Sequence, residues 1–337
     1  MLLVYDESFA GHLRGVSHPE SPDRVRVVDA YLRERFPGTE RIAARDATDG
    51  ELALVHPPAY LETVKRETAG LNGAVASLST GDTLIDERSL AVARRAAGGA
   101  IVALETAAER AAPVFAVVRP PGHHAEPMRG MGFCIFNNAA VAARAYLARF
   151  GGRVLVVDFD YHHGNGTQSA SGNGLSYVSA HAYPAYPGTG GPSENYELGH
   201  DIVANVPLTA HGFGTEPFLA VWERLLPTIA ARVRPDAIVV SAGFDYVAGD
   251  PVGDLGVDAW AATHLAVAIE AIAVQYCAGR VAYLLEGGYD TRALALSVGM
   301  IFEAHDSGAT AGSGAQPGAI PSAQRALLDR IGTMAAG

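Results

Sequence analysis

The sequence predicts an α/β fold with one open, mainly parallel β-sheet and helices on both faces. Short apolar runs rich in valine and isoleucine alternate with longer helical segments along most of the 337 residues, which is the pattern of consecutive βαβ units. The run 154–157 is wholly apolar, as expected for a strand covered on both faces. Several runs end in histidine, aspartate or tyrosine. Ligands of parallel sheets bind beyond the carboxyl ends of the strands, so we expect the functional site there.

The first half of the chain begins with a strand and continues mainly as helices. We predict strands over 1–5 and 114–118, helices over 22–36, 60–68, 87–110 and 137–150, and polar loops over 5–21 and 71–86. Ser21 is a capping residue type, and Pro22 suits the first position of the helix that follows. Alanine enrichment favours the long helix over 87–110.

The second half returns to regular alternation. We predict strands over 154–157, 175–179, 237–241 and 280–285, helices over 215–233 and 258–277, and a loop rich in Pro, Gly and Tyr over 181–195. Nothing in the first 300 residues indicates a strong linker or a repeat, so residues 1–337 are predicted as a single domain. The Gly, Ala, Ser and Gln composition predicts a flexible segment over 306–320, followed by a terminal helix over 321–335.

Composition limits the functional classes. A net charge of −11 argues against nucleic acid as a partner, because that partner requires a basic face. Cys134 and Cys277 are the only cysteines, so neither a disulfide framework nor a cysteine-based zinc site is expected. Residues 1–5 are followed by Asp6 and Glu7, so they are interpreted as a strand rather than a signal peptide. No apolar run is long enough to cross a bilayer. We expect a cytoplasmic protein without a membrane partner, and a homo-oligomer is compatible with the sequence.

Carboxylate and imidazole groups are concentrated directly after the strand at 154–157. Side chains two apart in an extended chain share a face, so Asp158, Asp160 and His162 can point the same way, whereas His163 should point elsewhere. Oxygen and nitrogen ligands of this kind suit zinc or iron. The alternative is a polar cluster at the strand end that is satisfied by hydrogen bonds.

Three further polar clusters follow other predicted strands. They are His123 and His124, Asp245, and Tyr289. Because the carboxyl ends of parallel strands lie at one edge of the sheet, the four clusters can meet in one crevice.

Six ordered motifs resemble the signatures of the zinc-dependent histone deacetylase family, which also includes acetylpolyamine amidohydrolases and acetoin-utilisation proteins. They are Arg119-Pro120-Pro121-Gly122-His123-His124-Ala125, Gly132-Phe133-Cys134, Asn137-Asn138, Asp158-Phe159-Asp160-Tyr161-His162-His163-Gly164-Asn165-Gly166-Thr167, Ser241-Ala242-Gly243-Phe244-Asp245 and Glu286-Gly287-Gly288-Tyr289. The resemblance covers about residues 1–300 and implies the fold shared by arginases and deacetylases. Asn165, His18-Pro19-Glu20 and Glu286 resemble the class II branch.

The resemblance implies a metal-dependent hydrolysis of an N-acylated amine, most simply an acyl-lysine. Asp160, His162 and Asp245 match the ligands of the family's Zn²⁺, and the same ligands accept Fe²⁺. Three protein ligands leave the open position that catalysis requires.

The resemblance also assigns roles around the metal. His124 matches the general base, and Asn165 would orient it through a neutral amide. His123 matches the partner histidine, tuned by Asp158. Tyr289 matches the hydroxyl that donates to the developing oxyanion.

The resemblance extends to a structural ion and to a substrate tunnel. Asp158 and Ser179 match residues that hold a monovalent cation such as K⁺ in relatives. The residues that match the tunnel are Gly132, Phe133, Tyr186 and Val252. Asp82 falls near the rim aspartate that grips the substrate's main chain in relatives. Val252 stands where a polyamine-specialised relative has a glutamate, which favours acyl-lysine over acetylpolyamines.

Three other interpretations stay open from the sequence. A deacetylase of small acylated amines such as acetylpolyamines would use the same site. An arginase-type enzyme needs a second metal, but Tyr246-Val247 after Asp245 lacks the aspartate that would bind it. A non-catalytic acyl-binding protein would bind an acylated ligand without turnover.

Overall fold

The computed structural model describes residues 1–307 and 318–336. The strands are β1 Leu2–Val4, β2 Arg41–Ile42, β3 Ala76–Ser77, β4 Leu84–Ile85, β5 Val114–Ala116, β6 Val154–Asp158, β7 Leu175–Tyr183, β8 Tyr196–Leu198, β9 Asp201–Thr209, β10 Ala237–Ala242 and β11 Val281–Leu285. The helices are α1 Asp23–Arg35, α2 Asp49–Leu52, α3 Pro58–Ala69, α4 Ser89–Arg110, α5 Asn138–Phe150, α6 Asn165–Ser169, α7 Thr215–Val233, α8 Ala261–Cys277, α9 Thr291–Ser307 and α10 Ser322–Ala336, with a 3-10 helix at Glu7–Gly11.

The main sheet confirms the predicted fold class. Its order is β2-β1-β5-β11-β10-β6-β7-β9-β8, and every neighbouring pair is parallel except β8 with β9. Every residue of β6, β10 and β11 is buried, which explains why these strands are apolar except for Asp158 and Ser241 near the C-terminal ends of β6 and β10. β6, β10 and β11 therefore end side by side at the centre of one edge.

Helices form two layers around this sheet. In one layer α4 packs on α5, and both contact the central strands. In the other, α1, α9, α8 and α7 pack side by side, and α10 lies against α7 and β9. The apolar stripe of α1, Val25, Val28 and Leu32, is fully buried. Among the described helices, none is both long and apolar enough to cross a lipid bilayer.

The structure corrects several sequence-based predictions. The segment 71–86 is not only a loop, because it forms the small antiparallel sheet of β3 and β4 and buries Leu78 and Ile85. The helix after Ser21 begins at Asp23 and has no side-chain cap. The segment 5–21 contains a 3-10 helix whose Phe9 is buried.

Beyond these corrections, six elements were not predicted at all. They are the short β2, α2 and α6, together with β8, β9 and α9. β9 extends the parallel sheet beside β7, and β8 returns along it as an antiparallel edge strand. Most of the predicted flexible segment, 308–317, lies outside the described residues, while the terminal helix is present as α10.

Close packing of α4 on the segment 45–47 yields a test of the fold. Gly98 is in the middle of α4, and an added Cβ would overlap the backbone of this segment. Gly332 in α10 has open space at the same atom.

We expect Gly98→Ala to lower the free energy of unfolding by about 1–3 kcal/mol because the backbone must shift. Gly332→Ala, the matched control, should raise it by about 0.5–1 kcal/mol because alanine favours a helix. Urea unfolding measures both. Equal effects of the two variants would contradict this packing.

Candidate active site

The ends of β6 and β10 bring two carboxylates to one imidazole. Asp158 on β6 pairs in register with Ser241 on β10, so the residues that follow the two strands leave the sheet together. Asp160, His162 and Asp245 are buried there, and one ligand atom from each lies within 4.8 Å of the other two. This is the trio that the sequence predicted as a metal site.

The donor set of this trio fits a divalent cation. Nδ1 of His162 lies 3.2 Å from Asp160 Oδ1 and 3.0 Å from Asp245 Oδ2. The buried Asp245 Oδ2 receives no well-formed hydrogen bond. A buried carboxylate oxygen without a donor is costly, and a cation would satisfy it. Two carboxylates and one imidazole are ligands that zinc and iron both accept.

Glycines and backbone N–H groups hold the two carboxylates in place. The N–H of Gly287 donates to Asp160 Oδ2 at 2.8 Å, and that of Tyr161 donates to Asp245 Oδ1 at 2.9 Å. A Cβ on Gly287 would lie about 2.5 Å from the Asp245 carboxylate. The double-glycine motif therefore permits the loop after β11 to close over the trio.

Protonation in this cluster follows from burial and from the neighbouring charges. Burial lowers the pKa of His162, but its contacts with Asp160 and Asp245 outweigh burial and raise the pKa to about 9. Burial and the nearby Asp160 raise the pKa of Asp245. Each shift reflects burial together with the crowding of two carboxylates around one imidazole. A metal would compete with the proton for Nδ1 of His162.

The two adjacent histidines have opposite electrostatic surroundings. His123 Nδ1 lies 3.1 Å from Asp158 Oδ2, and His124 Nδ1 lies 2.9 Å from Asn165 Oδ1. Burial disfavours the His123 cation, but Asp160 and Asp158 overcome it and raise the pKa to about 10. Burial, His123 and His162 hold the pKa of His124 well below its usual value. His124 is therefore neutral and able to accept a proton at pH 7.

Tyr289 is fixed by contacts that the sequence analysis missed. Arg24 Nε donates to the carbonyl of Gly288 at 2.6 Å, and its guanidinium lies 4.8 Å from the centre of the Tyr289 ring. Asp250 Oδ2 accepts the N–H of Tyr289 at 2.6 Å. Burial raises the pKa of Tyr289 well above its usual value, so its hydroxyl stays a donor. One sequence signal was available, since Arg24 interrupts the apolar face of α1 next to Val25.

A buried ion cluster supports Arg24. Glu20 accepts hydrogen bonds from Arg24 at 3.0 Å and from Arg119 at 2.7 Å, and all three side chains are fully buried. The sequence marked Glu20 and Arg119 only as parts of motifs. Their pairing spans 99 positions, which no local pattern reveals.

Glu286 is a second missed positioning group. Its Oε2 accepts the backbone N–H groups of Gly122 at 2.6 Å and His123 at 3.1 Å, while Ser241 donates to Oε1 at 3.2 Å. Burial raises the pKa of Glu286 to about 7. This side chain therefore ties the end of β11 to the loop that carries the histidine pair.

A cleft of about 610 Å³ opens above the trio. Its lining includes every residue predicted for the substrate tunnel, and the full set is Asp82, His124, Gly132, Phe133, Tyr161, His162, Pro184, Ala185, Tyr186, Ala210, His211, Val252 and Tyr289. His211 was not predicted as part of this site, yet it lines the cleft. Burial and a hydrogen bond to Asp82 raise the pKa of Tyr186, so this phenol also stays protonated.

Other predicted groups lie beside the cleft. Ser179 is paired in register with Asp158, but its hydroxyl contacts His181 Nδ1 at 2.8 Å, and its role as a cation ligand stays a prediction. His163 points away from the trio and contacts Thr189 at 2.8 Å. Burial raises the pKa of Cys134 well above its usual value, which agrees with a packing role.

Comparison with known proteins agrees with this architecture. The fold and cleft define an α/β protein whose candidate metal site lies beyond the C-terminal ends of a parallel sheet. Residues 18–305 match the family described as the histone deacetylase domain. The chain therefore belongs to the histone deacetylase family, as its motifs predicted.

Relatives in plants and archaea share most of the chain. It is 36% identical to histone deacetylase 15 of Arabidopsis thaliana, with 87% of this chain and 54% of that protein covered. It is 32% identical to a probable deacetylase of Archaeoglobus fulgidus, with 85% and 80% covered. The chain thus spans about half the length of the plant relative. The crystal structure of the HDA15 HD domain superposes with a TM-score of 0.87 at 31% identity, covering 99% of this chain and 93% of that one.

The trio makes a prediction about metal content. We expect the purified chain to bind about one divalent ion, since three protein ligands hold a single centre. Asp245→Asn should weaken binding by more than about 100-fold, beyond the usual cost of losing an outer partner. Asp329→Asn on the exposed face of α10 is the matched control. Metal analysis after dialysis measures both, and two ions per wild-type chain would favour the arginase-type alternative.

Proposed function

We propose that this chain is a zinc-dependent amidohydrolase that removes acetyl or another short acyl group from an acylated amine, most simply acyl-lysine. The observation that supports this most strongly is the convergence of the buried trio, the neutral His124 and the hydroxyl-bearing Tyr289 on one cleft. Family membership supports deacetylase chemistry. The metal, the acyl-lysine preference and the residue roles are the parts we propose.

The trio would hold the metal at the floor of the cleft. A divalent ion bound by Asp160, His162 and Asp245 would supply Lewis-acid chemistry to the amide carbonyl and to the attacking water. Zn²⁺ is our proposal, and Fe²⁺ suits the same donors. K⁺ held near Asp158 and Ser179 would add a structural ion.

His124 is the group we assign to proton transfer. Its Nδ1 is held by Asn165, which leaves Nε2 free to accept a proton from water and to return it to the departing amine. His123 is held as a cation by Asp158. The adjacent positive charge keeps His124 neutral until the reaction supplies its proton.

Tyr289 would donate to the carbonyl oxygen as negative charge develops there. Its loop is fixed from both sides by Arg24 and Asp250, so little reorganisation is needed during the reaction. Its ring packs edge-to-face with Phe133 at a centroid distance of 5.9 Å. The donor therefore lies at the inner end of an aromatic wall.

The cleft favours an acyl chain on a slender alkyl amine. Phe133 and Tyr186 present aromatic surfaces suited to methylene groups. Val252 lines the cleft and offers no anion for a polyamine's second ammonium group. This favours acyl-lysine over acetylpolyamines as substrate.

We expect the purified protein to release acetate from an acetyl-lysine peptide, and to do so faster than from acetylated polyamines. Tyr289→Phe should reduce kcat by about 10²–10³, the usual cost of removing one oxyanion donor. Tyr196→Phe, on the exposed edge strand β8, is the matched control. Full activity after exhaustive chelation would count decisively against the proposal.

The neutral amide beside His124 predicts a specific pH response. Asn165→Asp places a carboxylate against the imidazole, which favours its cation and should raise the pKa of His124 by about one unit or more. Because the base must be neutral, the acid limb of kcat/KM should move to higher pH. Asn165 also donates to Glu126 at 2.9 Å, so the variant is made together with Glu126→Gln.

Glu126→Gln alone is the control for this experiment, and metal content is measured for each variant. An acid limb that stays in place in the double variant would show that His124 is not the titrating base.

A further inference from the structure

The turn at 80–83 is fastened to the loop at 130–134 along one wall of the cleft. Its side chains bind backbone groups of that loop. The contacts are Thr80 Oγ1 with the Gly130 N–H at 3.3 Å, Asp82 Oδ1 with the Gly132 N–H at 2.8 Å, and Thr83 Oγ1 with the Cys134 carbonyl at 3.1 Å. This loop carries Phe133, whose φ of 68° is in the left-handed region that favours glycine. The turn therefore supports a backbone conformation that a phenylalanine disfavours.

Asp82 also reaches the opposite wall. Its second oxygen, Oδ2, accepts the hydroxyl of Tyr186 at 2.9 Å. Tyr186 is in the loop after β7, far from the 130–134 loop in sequence. One carboxylate thus connects the Phe133 wall to the Tyr186 wall.

Both partners of Asp82 lie against His124. Gly132 packs directly on its ring, and a Cβ at this position would overlap the imidazole. The Tyr186 ring meets the imidazole edge-to-face, with centroids 5.1 Å apart and planes at 88°. A shift of either wall would therefore move the surface on which His124 rests.

We propose that Asp82 is a positioning residue. It braces the two walls that carry Phe133 and Tyr186, and thereby fixes the position of the cleft walls around His124. The inference rests on the proposed deacylase function. It extends that function by assigning to Asp82 the role of holding the walls of the cleft in place. The sequence-based interpretation was different, because the resemblance placed Asp82 at a rim position that grips the substrate's main chain. The side chain is exposed at the rim, so the two roles must be separated by experiment.

Two substrates separate the roles. One is an acetyl-lysine peptide, and the other is the same peptide with N-methyl groups on the backbone amides of the lysine and the following residue. A grip on the main chain needs those N–H donors, whereas a brace does not. Removal of a grip raises KM for the unmodified peptide, and removal of a brace lowers kcat for both peptides.

Four variants test the brace. Asp82→Ala removes both hydrogen bonds, and Tyr186→Phe removes only the hydroxyl that donates to Asp82 from the opposite wall of the cleft. Asp82→Asn keeps an acceptor for Gly132 and a polar partner for Tyr186 while removing the charge. Ser79→Ala is the matched control, because it removes a contact next to the turn, to Glu67, that reaches neither wall of the cleft.

We expect Tyr186→Phe to lower kcat about threefold and Asp82→Ala about tenfold with both peptides, which is the range for one and two hydrogen bonds. Asp82→Asn should recover most of the Asp82→Ala loss, and Ser79→Ala should match the wild type. A loss in Asp82→Ala confined to KM of the unmodified peptide would overturn the brace. An unchanged kcat in Tyr186→Phe would also overturn the brace.

Hydrogen–deuterium exchange of the peptide containing Gly132 tests the brace without turnover. Asp82→Ala should speed exchange of that amide, Asp82→Asn should restore protection, and Tyr186→Phe should leave it protected. Failure of the wild type to hydrolyse any acylated amine would defeat the proposed function. The exchange result would still show whether Asp82 holds the Gly132 amide. Unchanged exchange in Asp82→Ala would overturn the brace itself.

Discussion

The crowding of buried carboxylates around one imidazole is the constraint on which the rest of the site depends. Asp160 and Asp245 leave neighbouring parallel strands at the same level, and His162 lies between them with Nδ1 within 3.2 Å of an oxygen of each. Buried charges of one sign are expensive unless a counter-charge is present. The carboxylates lie beyond the centre of the sheet, where the strands are apolar except for Asp158 and Ser241 near their C-terminal ends. A divalent ion is the simplest group that would offset the cost of their burial.

The same carboxylates organise the loops around them. Backbone N–H groups from the loops after β6 and β11 donate to Asp160 and Asp245, so formation of the trio also sets the path of both loops. Gly287 allows that approach because it has no Cβ. The loop after β11 then presents Tyr289, which Arg24 and Asp250 hold from outside. The candidate metal site and Tyr289 are thus parts of one packed unit.

Two neighbouring histidines acquire opposite charge states from their surroundings rather than from their sequence positions. His123 is opposed by a carboxylate and His124 by a neutral amide. One imidazole is therefore held as a cation, and that cation disfavours a second charge on its neighbour. Burial opposes the charge on both rings, but the nearby carboxylates overcome it only at His123. The charges around each ring thereby set its protonation state.

Local patterns were sufficient for much of this protein. The alternation of apolar runs and helices predicted the parallel sheet, and polar residues at strand ends predicted where the site would lie, because a strand's burial and the exit of its chain are properties of a few consecutive residues. The ordered motifs predicted the family and the candidate ligands.

Only the tertiary structure decided which side chains meet across long separations. Glu20 with Arg119, Glu286 with the His123 backbone, and Asp82 with Tyr186 are joined over roughly a hundred positions or more. Strands β9 and β8 depended likewise on neighbours to pair with, since β9 pairs with β7 and the edge strand β8 pairs with β9. Such contacts exist only once the sheet has assembled, since a hydrogen bond between distant residues has no signature in the residues next to either partner.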